Sequence, residues 1–147
     1  MTQIVRFQKL DERAVAPAYG SAAAAGADLY AVLDAPLTIG AGETVLVHTG
    51  LAVEIPFGFV GLVCARSGLA TKQGLAPANK VGVIDADYRG EVMVALHNHS
   101  AESRTIDHGE RIAQLVLVPY LTAVYEQADS LSDTVRGEGG FGSTGSK

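Results

Sequence analysis

Short apolar, β-branched runs follow one another along this chain, and Gly, Pro, Asp or Asn cuts each one off before a long helix can form. Ile4 to Leu10, Thr44 to Val53, Phe59 to Cys64, Val92 to His97 and Ile112 to Val118 read as strands, with Val124 to Glu126 as a last short one. Val92 to His97 alternates after Gly90, as a half-buried strand does. The Ala run from Ser21 to Ala25 favours helix by propensity, but it meets Gly26 at once and is too short to hold alone. One short helix is expected from Gly68 to Gln73, with Ser67 as its N-cap and Gly74 as its stop. The pattern is that of an all-β sandwich or barrel. The 17 Gly and 5 Pro suit its many tight turns. A chain of 147 residues is the size of one domain, and it buries enough surface to need no disulfide staples. Residues 127–134 are polar and lead into a Gly-rich end, so the chain reads as a β-domain over 1–126 with a flexible arm over 127–147.

The net charge is −5 and the pI about 5.2. That excludes the basic footprint of nonspecific nucleic-acid or membrane-surface binding. A polyanion would need locally concentrated donors and a divalent cation. Cys64 is the lone cysteine and forms no internal disulfide; it reads as a small buried apolar group. Arg6, Lys9, Asp11, Glu12 and Arg13 interrupt any secretory signal, and no run of about 18 apolar residues exists to span a membrane. The expected location is the cytosol.

Five clusters carry chemistry. Arg136 to Gly145 holds one Arg, a series of Gly, Phe141 and the adjacent hydroxyls Ser143 and Thr144. Such a segment is either a floppy tail or a clamp whose backbone N–H groups, hydroxyls and guanidinium close over an anion, with Phe141 as a lid for a flat ring. It is not a Walker A loop, because no Lys precedes the hydroxyl and no helix follows. Ala65-Arg66-Ser67-Gly68 opens the expected helix, where free N–H groups suit a phosphate, or a plain cap beside a surface Arg. Asn79 to Gly90 reads as a hairpin that places Asp85 and Asp87 on one strand face, fit for a metal, a general base or a turn. Gly26 to Tyr30 offers Asp28 to a hydrated cation or a turn. Gly109 to Leu115 carries Gln114, which needs a partner if buried, and Glu110 beside Arg111, a possible surface pair. His97 and His99 share a strand face, but no nearby Cys or His completes a zinc set.

Taken together and in this order, the clusters resemble the five motifs of the trimeric dUTP pyrophosphatases. The matching stretches are Ala25 to Ala31, Ala65 to Ala70, Gly82 to Gly90, Gly109 to Leu115 and Arg136 to Gly145. One departure is Ala65, where the family often has Pro. The resemblance implies a distorted antiparallel jelly-roll-type β-barrel, assembled as a homotrimer. Its active sites are shared: one chain supplies the first, second and fourth motifs, a neighbour the third, and the remaining chain its arm.

The implied reaction takes dUTP and water to dUMP and pyrophosphate by in-line attack on the α-phosphorus. It removes dUTP from the DNA precursor pool and supplies dUMP for thymidylate synthesis. In this reading Asp85 is the general base. Mg²⁺ is held mainly by the triphosphate, with Asp28 reaching it through water. Arg66, Ser67, Gly68, Gln114, Arg136, Ser143 and Thr144, with the backbone at Gly142, hold phosphate oxygens. Asn79 and the backbone of Gly82, Val83, Ile84 and Asp85 read the uracil edge, and Tyr88 packs on the deoxyribose. Phe141 stacks on the base, and Met93 lines the sugar pocket or packs in the core. The rivals are a dCTP deaminase of the same fold and a dUTP-binding regulatory module without turnover.

Overall fold

A computed structural model describes residues 2–140 of the chain. Its strands are β1 (Arg6–Lys9), β2 (Ala18–Tyr19), β3 (Gly26–Tyr30), β4 (Leu37–Ile39), β5 (Thr44–Glu54), β6 (Phe59–Cys64), β7 (Leu75–Pro77), β8 (Gly82–Ile84), β9 (Glu91–Asn98), β10 (Arg104–Ile106) and β11 (Arg111–Pro119). Helix α1 (Ser67–Gln73) lies between β6 and β7. The strands form a four-stranded sheet in the order β1-β5-β9-β7, a five-stranded sheet in the order β2-β3-β11-β6-β8, and a ribbon of β10 with β4. Every pairing is antiparallel. Strands adjacent in space are far apart in sequence, β3 beside β11 and β5 beside β9, which is jelly-roll connectivity. Among the described residues the sheets do not join into one closed ring, so the barrel is distorted and open.

Alternation builds the core. On β9, Val92, Val94 and Leu96 are buried while Met93, Ala95 and His97 between them are only partly so. The inward set meets Val47 and Val53 of β5, Leu29 of β3, Val63 of β6 and Ile112, Ala113 and Leu115 of β11. The last residue of β9, Asn98, continues inward and is fully buried. Its amide is satisfied on all sides. Nδ2 donates to the carbonyls of Ile39 (3.0 Å) and Glu102 (2.7 Å), and Oδ1 accepts from Ser100 N (3.0 Å) and Oγ (2.7 Å). One side chain therefore ties β9 to β4 and to the turn that leads to β10.

The Ala run from Ser21 to Ala25, too short for a helix, is a turn, with Ala24 N donating to Ser21 O at 3.1 Å. Several expectations are corrected. Val124 to Glu126 is exposed and forms no strand. Asn79 to Gly90 is not a hairpin: β8 pairs with β6, whereas β9 pairs with β5 and β7, so the connection crosses from one sheet to the other. The strand ends at Ile84, and Tyr88 N bonds Asp85 O at 3.2 Å, so Asp85 and Asp87 sit in a turn and share no strand face. The helix cap is shifted by one residue. Arg66 holds the N-cap position (φ −90°, ψ 125°) with no side-chain cap bond, and Ser67 is already helical. Gly74 does end the helix, at φ 72° with its N–H on Leu69 O. A Cβ there would also lie 2.7 Å from that of Ser100.

Asn98→Ala leaves two backbone carbonyls and the Ser100 donors without their buried partner. At about 1–3 kcal/mol for each group left unsatisfied, the substitution should lower the urea midpoint measured at fixed protein concentration. An unchanged midpoint would mean that the β9–β4 junction does not depend on this amide.

Candidate active site

The five-stranded sheet gathers four of the five clusters, because β3, β11, β6 and β8 are neighbours within it. The central strand, β11, sets the geometry. Gln114 lies opposite Asp28 of β3 on one side and Cys64 of β6 on the other. Cross-strand partners share a face, so Asp28, Gln114 and Cys64 form a row on the side away from Val63 and Leu115. Cys64 is thus half-buried on the site face, not in the core. The chain leaves β6 just beyond this row and delivers Arg66 and the start of α1.

Asp28 is buried, with only 8% of its surface exposed. A carboxylate removed from water needs charged partners. It has two: Arg66 Nε donates to Oδ1 at 2.8 Å, and Arg111 Nη1 to Oδ2 at 3.2 Å. Arg66 Nη1 also reaches the Arg111 carbonyl at 3.4 Å. Arg111 does not pair with Glu110. That carboxylate instead accepts from Asp107 N at 3.0 Å and shapes the turn before β11.

A bulge brings Arg111 to Asp28. Arg111 opposes Tyr30 while Ala113 opposes Leu29, so two steps on β11 match one on β3. Ile112 and Ala113 are both buried, and Arg111 moves to the face of Asp28 and Gln114. Adjacent apolar residues beside a charged one in Arg111-Ile112-Ala113 were the available sign of a broken alternation. Sequence reasoning did not assign Arg111 to the site.

Gln114 donates from Nε2 to Ala65 O at 2.8 Å, and a Cβ on Gly26 would come within 2.2 Å of its Oε1. Gly26 is therefore the space through which Gln114 folds. One N–H of the amide is committed to Ala65, leaving the other for a ligand. At the helix, Ser67 and Gly68 are exposed, and the first helical bond is Ala70 N to Arg66 O. The N–H groups of Ser67 and Gly68 precede it and point outward without helical acceptors.

The third cluster lies one strand further. Gly82 pairs with Val63, and a Cβ on it would meet Val63 Cβ at 3.1 Å and Asn79 Nδ2 at 3.3 Å. Lys80 has φ 65°, the only positive value at a non-glycine among the described residues, and Val81 N bonds Asn79 O at 2.7 Å. This γ-turn stores backbone strain beside the proposed base-reading edge. Tyr88 is half-exposed and donates its hydroxyl to Glu91 O at 2.9 Å. Met93 lies on the face of β9 opposite to Val92 and Val94, so it is not a core residue. Asp85 is exposed, and among the described residues its carboxylate makes no hydrogen bond.

Asp85 stands apart from Asp28 and Gln114 within one chain: it follows the last residue of β8, and β6 lies between β8 and β11. Arg136 belongs to a local turn, with Nε on Gly139 O at 2.7 Å. Phe141, Gly142, Ser143 and Thr144 lie outside the described residues. His97 bonds Thr44 Oγ1 through Nδ1 at 2.9 Å. No group of three or more His, Cys, Asp or Glu among the described residues is arranged to hold a metal ion, and no described helix is long and apolar enough to cross a membrane.

A family model described as dUTPase matches residues 12–145. The deoxyuridine 5'-triphosphate nucleotidohydrolase of Desulfitobacterium hafniense is 50% identical over 142 residues, covering 96% of this chain and 94% of the relative. The solved structure of the Staphylococcus bacteriophage 80alpha dUTPase with dUPNHPP is similar at TM-score 0.89 and 30% identity, covering 98% of this chain and 99% of that one. A mutant dUTPase from phage phi11 of S. aureus, whose structure details the coordination of a structural Mg(II) ion, matches at TM-score 0.78 and 26% identity over 87% and 98% of the two chains. With four motif segments gathered on one sheet and a family match over nearly its whole length, the chain belongs to the dUTPase family.

Proposed function

We propose that this chain hydrolyses dUTP to dUMP and pyrophosphate, and that it does so as a homotrimer with shared sites. The observation that carries the reading is the convergence of Arg66, the α1 N-terminus and Gln114 on one face of a single sheet. Together they offer a charged fork, outward N–H groups and a side-chain amide to the oxygens of a polyphosphate. Phosphoryl chemistry needs little beyond such positioning and charge neutralisation.

Asp85 is the general base. Its free carboxylate can orient a water for in-line attack on the α-phosphorus and take its proton. Asn79 and the edge through Gly82, Val83, Ile84 and Asp85, beside the strained turn at Lys80, pair with uracil. Cytosine puts a donor where uracil has an acceptor and leaves buried groups unpaired. Tyr88, held by Glu91 O, packs on the deoxyribose, and Met93 lines the sugar pocket. Arg136, Gly142, Ser143 and Thr144 of the arm close on the phosphates, and Phe141 covers the base.

The Asp28 carboxylate fits a hydrated Mg²⁺. Each of its oxygens accepts one guanidinium bond and keeps a further lone-pair site. Mg²⁺ retains several waters and is commonly shared between one carboxylate and substrate phosphates, so no protein cage is required. When bound, it neutralises charge across the triphosphate.

Two features support the trimer. Asp85 lies past the end of β8, with β6 between it and the strands of Asp28 and Gln114, which leaves each chain with two half-sites. Beyond β11 the chain also displays Leu121, Val124, Tyr125, Leu131 and Val135, each at least 89% exposed, and these need a neighbour to cover them. The arm over 127–147 would then close over the site of a neighbouring subunit.

Pyrophosphate release from dUTP with Mg²⁺ tests the reading. Ammonia release from dCTP would replace it with deamination, and tight dUTP binding without turnover would replace it with a regulatory module. Asp85→Asn should keep dUTP affinity and lower turnover by about 10²–10⁴-fold, measured by single-turnover kinetics; near-normal turnover would remove Asp85 as base. A chain ending at Val135 should stay a folded trimer by light scattering and lose most activity. Dissociation would instead assign the arm to assembly.

A further inference from the structure

We propose that Arg111 is a positioning residue for triphosphate capture, acting through Asp28 to keep Arg66 electrostatically available. This rests on the dUTP reading above and extends it to a side chain that touches no proposed substrate atom.

The charge arithmetic at the row carries the proposal. Arg66 and Asp28 alone would form a neutral pair, and the carboxylate would cancel the charge meant for phosphate. Arg111 binds the second oxygen, so the cluster holds two guanidiniums and one carboxylate and is net positive. The division of contacts points the same way. Asp28 takes only the Nε edge of Arg66, and the Arg111 carbonyl takes Nη1. Among the described residues Nη2 makes no hydrogen bond, so the outer corner of the fork is left for an anion. Arg111 thus fixes Arg66 twice, by sharing Asp28 and by presenting its carbonyl.

The bulge supports a specific role over a chance surface pair. Without it, β11 would pair Ile112 with Tyr30 and turn Arg111 to the opposite face. The strand gives up regular pairing at this point, and the result is a guanidinium beside Asp28. Arg111 keeps 51% of its side chain exposed, whereas Asp28 keeps 12% and Arg66 26%. It is a cation at the rim of a buried charge, and replacing it opens no core cavity.

The test compares the full-length parent with Arg111→Gln and Arg111→Lys. It measures kcat and KM for dUTP at low and high salt, dUMP affinity, and thermal midpoint. Loss of one charge at this distance should raise KM for dUTP roughly ten-fold in R111Q at low salt. The effect should shrink at high salt, while dUMP affinity stays near the parent; the thermal midpoint should fall in R111Q, because a buried carboxylate loses one cation, and recover in R111K. R111K keeps the charge and should recover most of the loss. R111Q with parental kinetics overturns the proposal, as does an equal loss in R111K or a loss of dUMP affinity matching that for dUTP. A parent that does not turn over dUTP removes the underlying functional reading, a result distinct from any of these.

Discussion

The buried carboxylate of Asp28 is the constraint on which the site depends. It stands on β3, and its cations arrive from the end of β6 and the start of β11. One ion cluster therefore spans three adjacent strands. Stripping either cation from a buried charge is costly, so the cluster and the strand register support each other. The register is equally strict on the apolar side. A one-residue slip of β11 would turn Gln114 into the core and push Ala113 and Leu115 outward. The packing that buries Leu115 against Val63 thus also sets Gln114 on the face of Asp28.

Much of this was legible in the sequence, and the limits are physical. Long β-branched runs such as Phe59 to Cys64 coincide with strands because alternation or continuous burial marks them. Strands β2, β3, β4, β7, β8 and β10 span five residues or fewer, too short for a period to show, and apart from the β2–β3 pair their partners are remote. The segment around Asp85 looks like a hairpin because its flanks are apolar, yet sheet membership depends on β6 and β5, far away in sequence. The motif residues were found as chemistry, but only the resemblance, and no local pattern, grouped the first, second and fourth of them. Nothing local in Gln114 says that it will fold over Gly26 to reach Ala65, and Arg111 looked like a partner for its neighbour Glu110. Bulges hide in this way, because an inserted residue changes the face without changing the composition.

The proposed assembly answers what one chain leaves unfinished. Asp28 and Gln114 stand on the five-stranded sheet while Asp85 lies past the end of its edge strand β8, and residues 120–138 are exposed. Tyr120 N to Gly58 O, at 3.0 Å, is the last bond by which the described residues of that segment hold to the sheets. A monomer would solvate Leu121, Val124, Tyr125 and Leu131 for no return. In the proposed symmetric assembly the same extended run would cover a neighbour's surface and carry the arm to a site its own domain does not complete.

The glycines of the motifs divide by what fills the space beside them. At Gly26 the space belongs to Gln114, and at Gly90 to the ring of Tyr88, whose hydroxyl would lie within 2.4 Å of an added Cβ. Those two glycines seat the protein's own side chains, so substituting them would act through Gln114 and Tyr88. At Gly68 nothing stands within 4 Å. There the backbone is bare at the helix start, beside Arg66, and an added methyl group would meet only an incoming ligand. Glycines in different motifs therefore serve different ends: Gly26 and Gly90 make room for the protein's own side chains, while Gly68 leaves the backbone at the helix start open.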